Sequence, residues 1–155
     1  MYWRLQRGEW AKGKGDRNKT AFRNIISANE KPGVVAYAGK EPVGWCAVAP
    51  REEFISLARS RVLKPFEDNA VWSITCLFVK KAFRRRGVSI ALLRASAAFA
   101  IKQGAKIVEG YPAIPTMDKT PDPFVYMGVP SAFKAAGFKE AGRRSATRPI
   151  MRLEI

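Results

Sequence analysis

Arg84-Arg85-Arg86-Gly87-Val88-Ser89 is the stretch of this sequence best equipped for chemistry. Three guanidinium groups precede a glycine, and an apolar run with helical spacing follows it. Backbone N–H groups at a helix start have no intrahelical acceptor and carry partial positive charge, so they attract phosphate oxygens. Gly87 lets the main chain approach such a ligand without a Cβ in the way, and the arginines add fixed charge. The combination predicts an anion site, most naturally one for a diphosphate. Other phosphate loops do not fit, because neither GxxxxGK[ST] nor a helix-opening GxGxxG is present.

What the chain lacks narrows the chemistry further. It contains no histidine, which removes Ser-His-Asp and Cys-His nucleophiles and imidazole zinc sites. Cys46 and Cys76 cannot form a thiolate cage alone; set in apolar runs, they read as small buried hydrophobes in a reducing compartment. No metal is expected. The 155 residues suffice for one domain, residues 1–155, and the balance of 47% apolar and 26% charged residues is that of a folded protein. No run reaches the roughly 20 apolar residues of a membrane span. The opening MYWRLQRGEW is charged where a signal peptide is apolar, so a cytoplasmic protein without a membrane partner is expected.

Lys and Arg number 28 against 13 Asp and Glu, a formal net charge of +15. That excess implies an anionic partner without naming it. The bases concentrate at 80–86 (KKAFRRR), in the first 31 residues, and again among Lys139, Arg143, Arg144, Arg148 and Arg152. Outside 80–86, a solvated face explains such runs adequately.

The elements that must hold the 84–89 segment can be read around it. Residues 17–28 place Phe22, Ile25 and Ile26 at helical spacing, with Asp16 or Asn18 as a cap, and Lys31-Pro32-Gly33 as the stop. VVAYA (34–38) and PVGWCAVA (42–49) flank Gly39-Lys40 as a hairpin. REEFISLAR (51–59) reads as a short helix, and AVWSITCLFV (70–79) as a strand covered on both faces. In 88–104, Val88, Ala91, Leu92, Ala95 and Phe99 repeat at helical spacing, and the other side is also mostly apolar, as in a central buried helix that Gly104 stops. AKIVEGYP (105–112) is a further strand, so strand, turn, helix and strand make a βαβ crossover. A proline-rich loop follows from Ala113 to Pro123. Then come a helix at 130–136 ending at Gly137, and strands at 138–144 and 147–154. The fold class is α/β: a mixed, mostly antiparallel twisted sheet around a central crossover helix.

On these residues the sequence resembles the GNAT acetyltransferase superfamily. That family's signature, R/Q-x-x-G-x-G/A after an apolar strand, is matched by Arg84 to Ser89, with Ser89 in place of the usual Gly or Ala. The order of elements agrees, and SAFKAAGF (131–138) is similar to the family's late helix ending in Gly-Phe. The likeness runs over roughly residues 18–154. It implies an N-acetyltransferase that moves an acetyl group from acetyl-coenzyme A to an amine by direct attack. Arg84, Arg85, Arg86, Gly87, Val88 and Ser89 would hold the pyrophosphate. The backbone of Leu77, Phe78 and Val79 would pair with the pantetheine arm, and amides there would meet charge developing on the thioester oxygen.

The resemblance also breaks in two places. Where the late helix of many members carries a tyrosine that protonates the departing thiolate, this chain has Lys134. Tyr126 is the nearest phenol and the first substitute, ahead of Ser131 and Lys134. Glu109, near the end of the 105–111 strand, is the carboxylate best placed to serve as base, and a salt bridge is its alternative. Glu52 and Glu53 could line an acceptor pocket or act on a helix dipole. The family also begins with one more strand and helix than the first 31 residues supply. YWRL (2–5) could be a remnant strand, and a bare sheet edge would invite a homodimer.

Two function classes remain. The first is the acetyltransferase, with a small-molecule or protein amine as acceptor, neutral or anionic rather than polycationic because the enzyme is itself so positive. The second is a non-catalytic acyl-coenzyme A-binding or nucleic-acid-binding protein on the same fold. Charge favours the second; the absence of a nucleic-acid motif, and of aromatics interleaved with bases, disfavours it.

Overall fold

The computed structural model describes residues 1–67, 69–115 and 124–154. Two helices, α1 (Arg7–Lys12) and α2 (Asp16–Ser27), lead into the hairpin β1 (Gly33–Ala38) and β2 (Glu41–Pro50). After the one-turn helix α3 (Ile55–Ala58) come β3 (Trp72–Val79), the central helix α4 (Val88–Lys102) and β4 (Ile107–Gly110). The chain closes with α5 (Pro130–Ala135), β5 (Lys139–Arg143) and β6 (Pro149–Glu154). The six strands form one sheet in the order β1-β2-β3-β4-β6-β5. All neighbours are antiparallel except β3 and β4, which α4 joins as a parallel pair.

The expected α/β class, hairpin and crossover are therefore present. YWRL is not a strand. Residues 2–5 form a turn in which the amides of Arg4 and Leu5 bond back to the Met1 carbonyl. The first 31 residues are spent on two helices, so β1 is an edge strand with nothing paired on its outer side among the described residues. The helix read at 51–59 is also shorter than its sequence suggests. It splits into a 3₁₀ turn at Arg51–Glu53 and the single turn of α3, with Phe54 between them at φ −103°, ψ 73°. Phe54 takes that conformation with its ring buried, so packing overrides the local helical tendency.

One face of the sheet is covered by α4 and α5. Cys46, Val48, Ile74, Val108 and Met151 meet Leu92, Leu93, Ala97 and Ala100 there in the larger core. The small residues of α4 allow a close approach: a Cβ on Gly44 of β2 would stand 2.9 Å from a methyl of Leu92. Gly110, at the end of β4, is needed for the same reason, since a Cβ there would collide with the buried ring of Phe133 from α5. The second core, on the other face, gathers Ala49, Phe54, Leu57, Tyr111, Met127 and Ile150, with Trp3 and Tyr126 packed against it. No helix among the described residues is long and apolar enough to cross a membrane.

Candidate active site

β3 and β4 share only three residue pairs, Trp72 with Val108, Ser73 with Glu109, and Ile74 with Gly110. β4 stops there, while β3 runs on for five more residues to Val79. The two strands part, and among the described residues no strand pairs with the edge of β3 from Thr75 to Val79 on that side. One contact fills part of the opening: the Leu77 amide donates to the Tyr126 carbonyl at 2.7 Å. At the far end the Nε of Arg84 donates to the Val79 carbonyl at 3.1 Å.

The basic turn follows directly. Lys81–Phe83 form a 3₁₀ turn, Arg85 has φ +59°, and Gly87 caps α4 with φ +78° and ψ 0°. Left-handed residues two apart turn successive amides toward one side, the geometry of an anion-binding concavity. Intrahelical bonding starts with the Ala91 amide and the Gly87 carbonyl at 3.0 Å, so the amides of Val88, Ser89 and Ile90 precede the first helical bond. Arg84, Arg85, Arg86 and Gly87 are exposed, and a Cβ built on Gly87 would meet nothing within 4 Å. The start of α4 is thus open, charged and next to the length of β3 that β4 does not reach. A diphosphate fits the amides and guanidinium groups there. An extended chain fits the parted strands.

Tyr126 and Glu109 do not share a site. Tyr126 lies half-buried beside the opening and lines a cavity of about 480 Å³ on the face away from α4. Burial pushes its phenol up to about 12; Tyr2 adds to the rise, and Arg148 opposes it. The group is a neutral proton donor at physiological pH. Glu109 is fully buried one strand further on. Its Oε1 accepts from Arg152 Nη2 at 3.0 Å and Nε at 3.1 Å, and its Oε2 accepts from the Tyr111 hydroxyl at 3.2 Å. Tyr111 in turn meets Ser73 at 2.8 Å and accepts from Arg51. This polar row crosses from β3 through β4 to β6. Lys134 and Ser131 are exposed on α5. Glu53 pairs with Arg4.

Two groups of residues escaped the sequence reading. Arg51, Tyr111 and Arg152 meet only through strand register, which no local pattern encodes. The cavity's N-terminal wall, including Trp3, Arg4 and Trp10, had a faint signal: three aromatics within the first ten residues, dense for a segment read as a solvated face.

Solved structures share this architecture. The ribosomal-protein-alanine N-acetyltransferase from Brucella melitensis superposes with a TM-score of 0.57 at 14% identity, over 90% of this chain and 78% of that one. The PaiA N-acetyltransferase from Thermoplasma acidophilum, in complex with coenzyme A, gives 0.56 at 15% identity, over 96% and 77%. The NatC complex bound to Gag peptide and coenzyme A gives 0.56 at 11% identity, over 88% and 79%. No curated protein matches the sequence. At such identities the structures establish a common fold and nothing finer. The sequence itself goes further, because the model of the acetyltransferase (GNAT) family matches residues 1–114, which take in both sides of the parted seam and the start of α4. With most of its length under that match, the chain belongs to the GNAT acetyltransferase family.

Proposed function

We propose that the protein is an N-acetyltransferase that takes its acetyl group from acetyl-coenzyme A and passes it directly to an amine. The observation that carries this reading is the pairing of a β3 edge that no described strand continues with an open, positively charged helix start at its end. Coenzyme A-bound structures of the same fold support it. Amides from Arg85 to Ser89, with the guanidinium groups of Arg84 to Arg86, hold the pyrophosphate. The main chain of Leu77, Phe78 and Val79 receives the pantetheine arm, which takes the place of the Tyr126 and Arg84 contacts on that edge.

The bound thioester supplies an activated carbonyl. The protein's part is to hold the amine against it, donate hydrogen bonds to the oxygen as charge develops, and return a proton to the departing thiolate. Tyr126 is our candidate for that proton. Its pKa of about 12 means that it keeps the proton through the range in which an amine nucleophile loses one. Tyr126→Phe is expected to lower kcat about 100-fold while leaving coenzyme A affinity unchanged; equal kcat in the two proteins would remove Tyr126 from the mechanism. Glu109, proposed from the sequence as the base, is tied to Arg152 and Tyr111. We assign it the positioning of β4 at the edge of the opening, and leave the ammonium proton to solvent.

Thermal unfolding with acetyl-coenzyme A tests the reading. At about 100 times Kd, the melting temperature of a protein of this size is expected to rise by about 5–10 °C. Thiol release across a panel of amines then reports turnover. No shift at millimolar acetyl-coenzyme A would sink the proposal.

A further inference from the structure

Resting on the acetyltransferase reading, we infer that the cavity on the face away from α4 is where the acceptor binds, and that it takes a small amine bearing both an aromatic or apolar body and a carboxylate, as an apolar amino acid does. Thr75, Cys76 and Tyr126 form one wall of this cavity, so it adjoins the Leu77–Val79 length of β3 assigned to the donor. Its volume of about 480 Å³ suits a small molecule.

The lining fixes the class. Trp3, Trp10, Phe22, Trp45 and Phe54 give it aromatic walls, Phe22 standing edge-on to Trp45 with ring centroids 5.8 Å apart. Arg4, Lys14 and Lys19 also line it, and no Asp or Glu among the described residues does. Cys76 adds no negative charge, because burial raises its thiol pKa. A polyamine or aminoglycoside would find no counter-charge among the described lining residues. For a single amine the same surroundings help: burial and neighbouring cations favour its neutral form, which is the nucleophile.

Arg4 points to the carboxylate. Its side chain is nine-tenths buried, with Nη1 held by Glu53 and the guanidinium 4.9 Å from the centre of the Phe54 ring. Its Nη2 is buried with no hydrogen-bond partner among the described residues. A buried guanidinium nitrogen left unmatched is costly, and a ligand carboxylate would complete it with a charge-assisted bond.

Three of the four tryptophans line the cavity, so their emission on excitation at a wavelength phenylalanine does not absorb reports binding without turnover. L-phenylalanine is expected to change it saturably. Phenethylamine, which lacks the carboxylate, should bind about tenfold more weakly, and spermidine should produce no saturable change. Arg4→Met should reduce L-phenylalanine to the level of phenethylamine, whose own binding shows the variant to be folded; Arg4→Lys should restore part of the preference. Equal affinity for L-phenylalanine and phenethylamine, or tighter binding of spermidine, overturns the inference. If acetyl-coenzyme A still stabilises the protein in that case, the acetyltransferase reading survives alone. Binding of L-phenylalanine without any acetyl-coenzyme A stabilisation overturns the acceptor role together with that reading.

Discussion

Gly87→Val is expected to weaken coenzyme A binding about 100-fold while the fold stands. At φ +78° a β-branched residue sits in a region it rarely adopts, at a cost of about 1–2 kcal/mol. Nothing within 4 Å of the new Cβ would clash, so the packing of α4 has no reason to change. The loss falls on the ligand instead. The added side chain stands where a diphosphate must approach, and relaxation of the left-handed turn re-aims the amides of Val88 and Ser89. Two charge-assisted hydrogen bonds at about 1.5 kcal/mol each account for the hundredfold loss. Gly104→Val is the matched control, because Gly104 follows the other end of α4 with φ +91° and equally open space. It should lower the melting temperature by a similar amount and leave coenzyme A binding intact. Calorimetric titration of both variants decides the matter. If Gly87→Val binds as wild type does, the helix start is not the pyrophosphate site.

Arg152→Met carries the largest expected effect on stability, a loss of about 3–5 kcal/mol in urea denaturation. The arginine side chain is 9% exposed and gives two hydrogen bonds to a carboxylate that is 0% exposed. Methionine fills the space but leaves the Glu109 charge buried with only the Tyr111 hydroxyl. Breaking a buried pair from one side costs far more than the pair contributes over a neutral substitute. A second change, Glu109→Gln, removes the stranded charge and should recover much of the loss at pH 7. If Arg152→Met costs under 1 kcal/mol, the row from Ser73 to Arg152 does not hold the strands as described.

The sequence disclosed most where chemistry and local structure coincide. Val88 to Lys102 is a helix, as its apolar spacing required, but it is not buried all round: Leu92, Leu93, Ser96, Ala97 and Ala100 are buried, whereas Ala91, Arg94, Ala95, Ala98 and Ile101 are exposed, small or apolar though most of them are. The hairpin about Gly39 and the stop at Gly137 were equally plain, since both glycines adopt positive φ. Tyr111 was not legible in this way. Its hydroxyl meets Ser73 and Arg51, 38 and 60 positions away, contacts that depend on strand order and register. The N-terminal segment misled for another reason. YWRL has a strand's composition, but its main chain closes on itself in a turn, and its aromatic rings go to the cavity wall. The expected loop from Ala113 to Pro123 lies largely outside the described residues.

With so few rungs joining β3 to β4, the sheet is best regarded as two leaves, β1-β2-β3 and β4-β6-β5, bound along a narrow spine. A donor laid into the gap would act as a splint, touching one leaf along its rim and steadying the other. Loading of the enzyme and cohesion of the molecule would then rise together, and the empty protein would be the looser one.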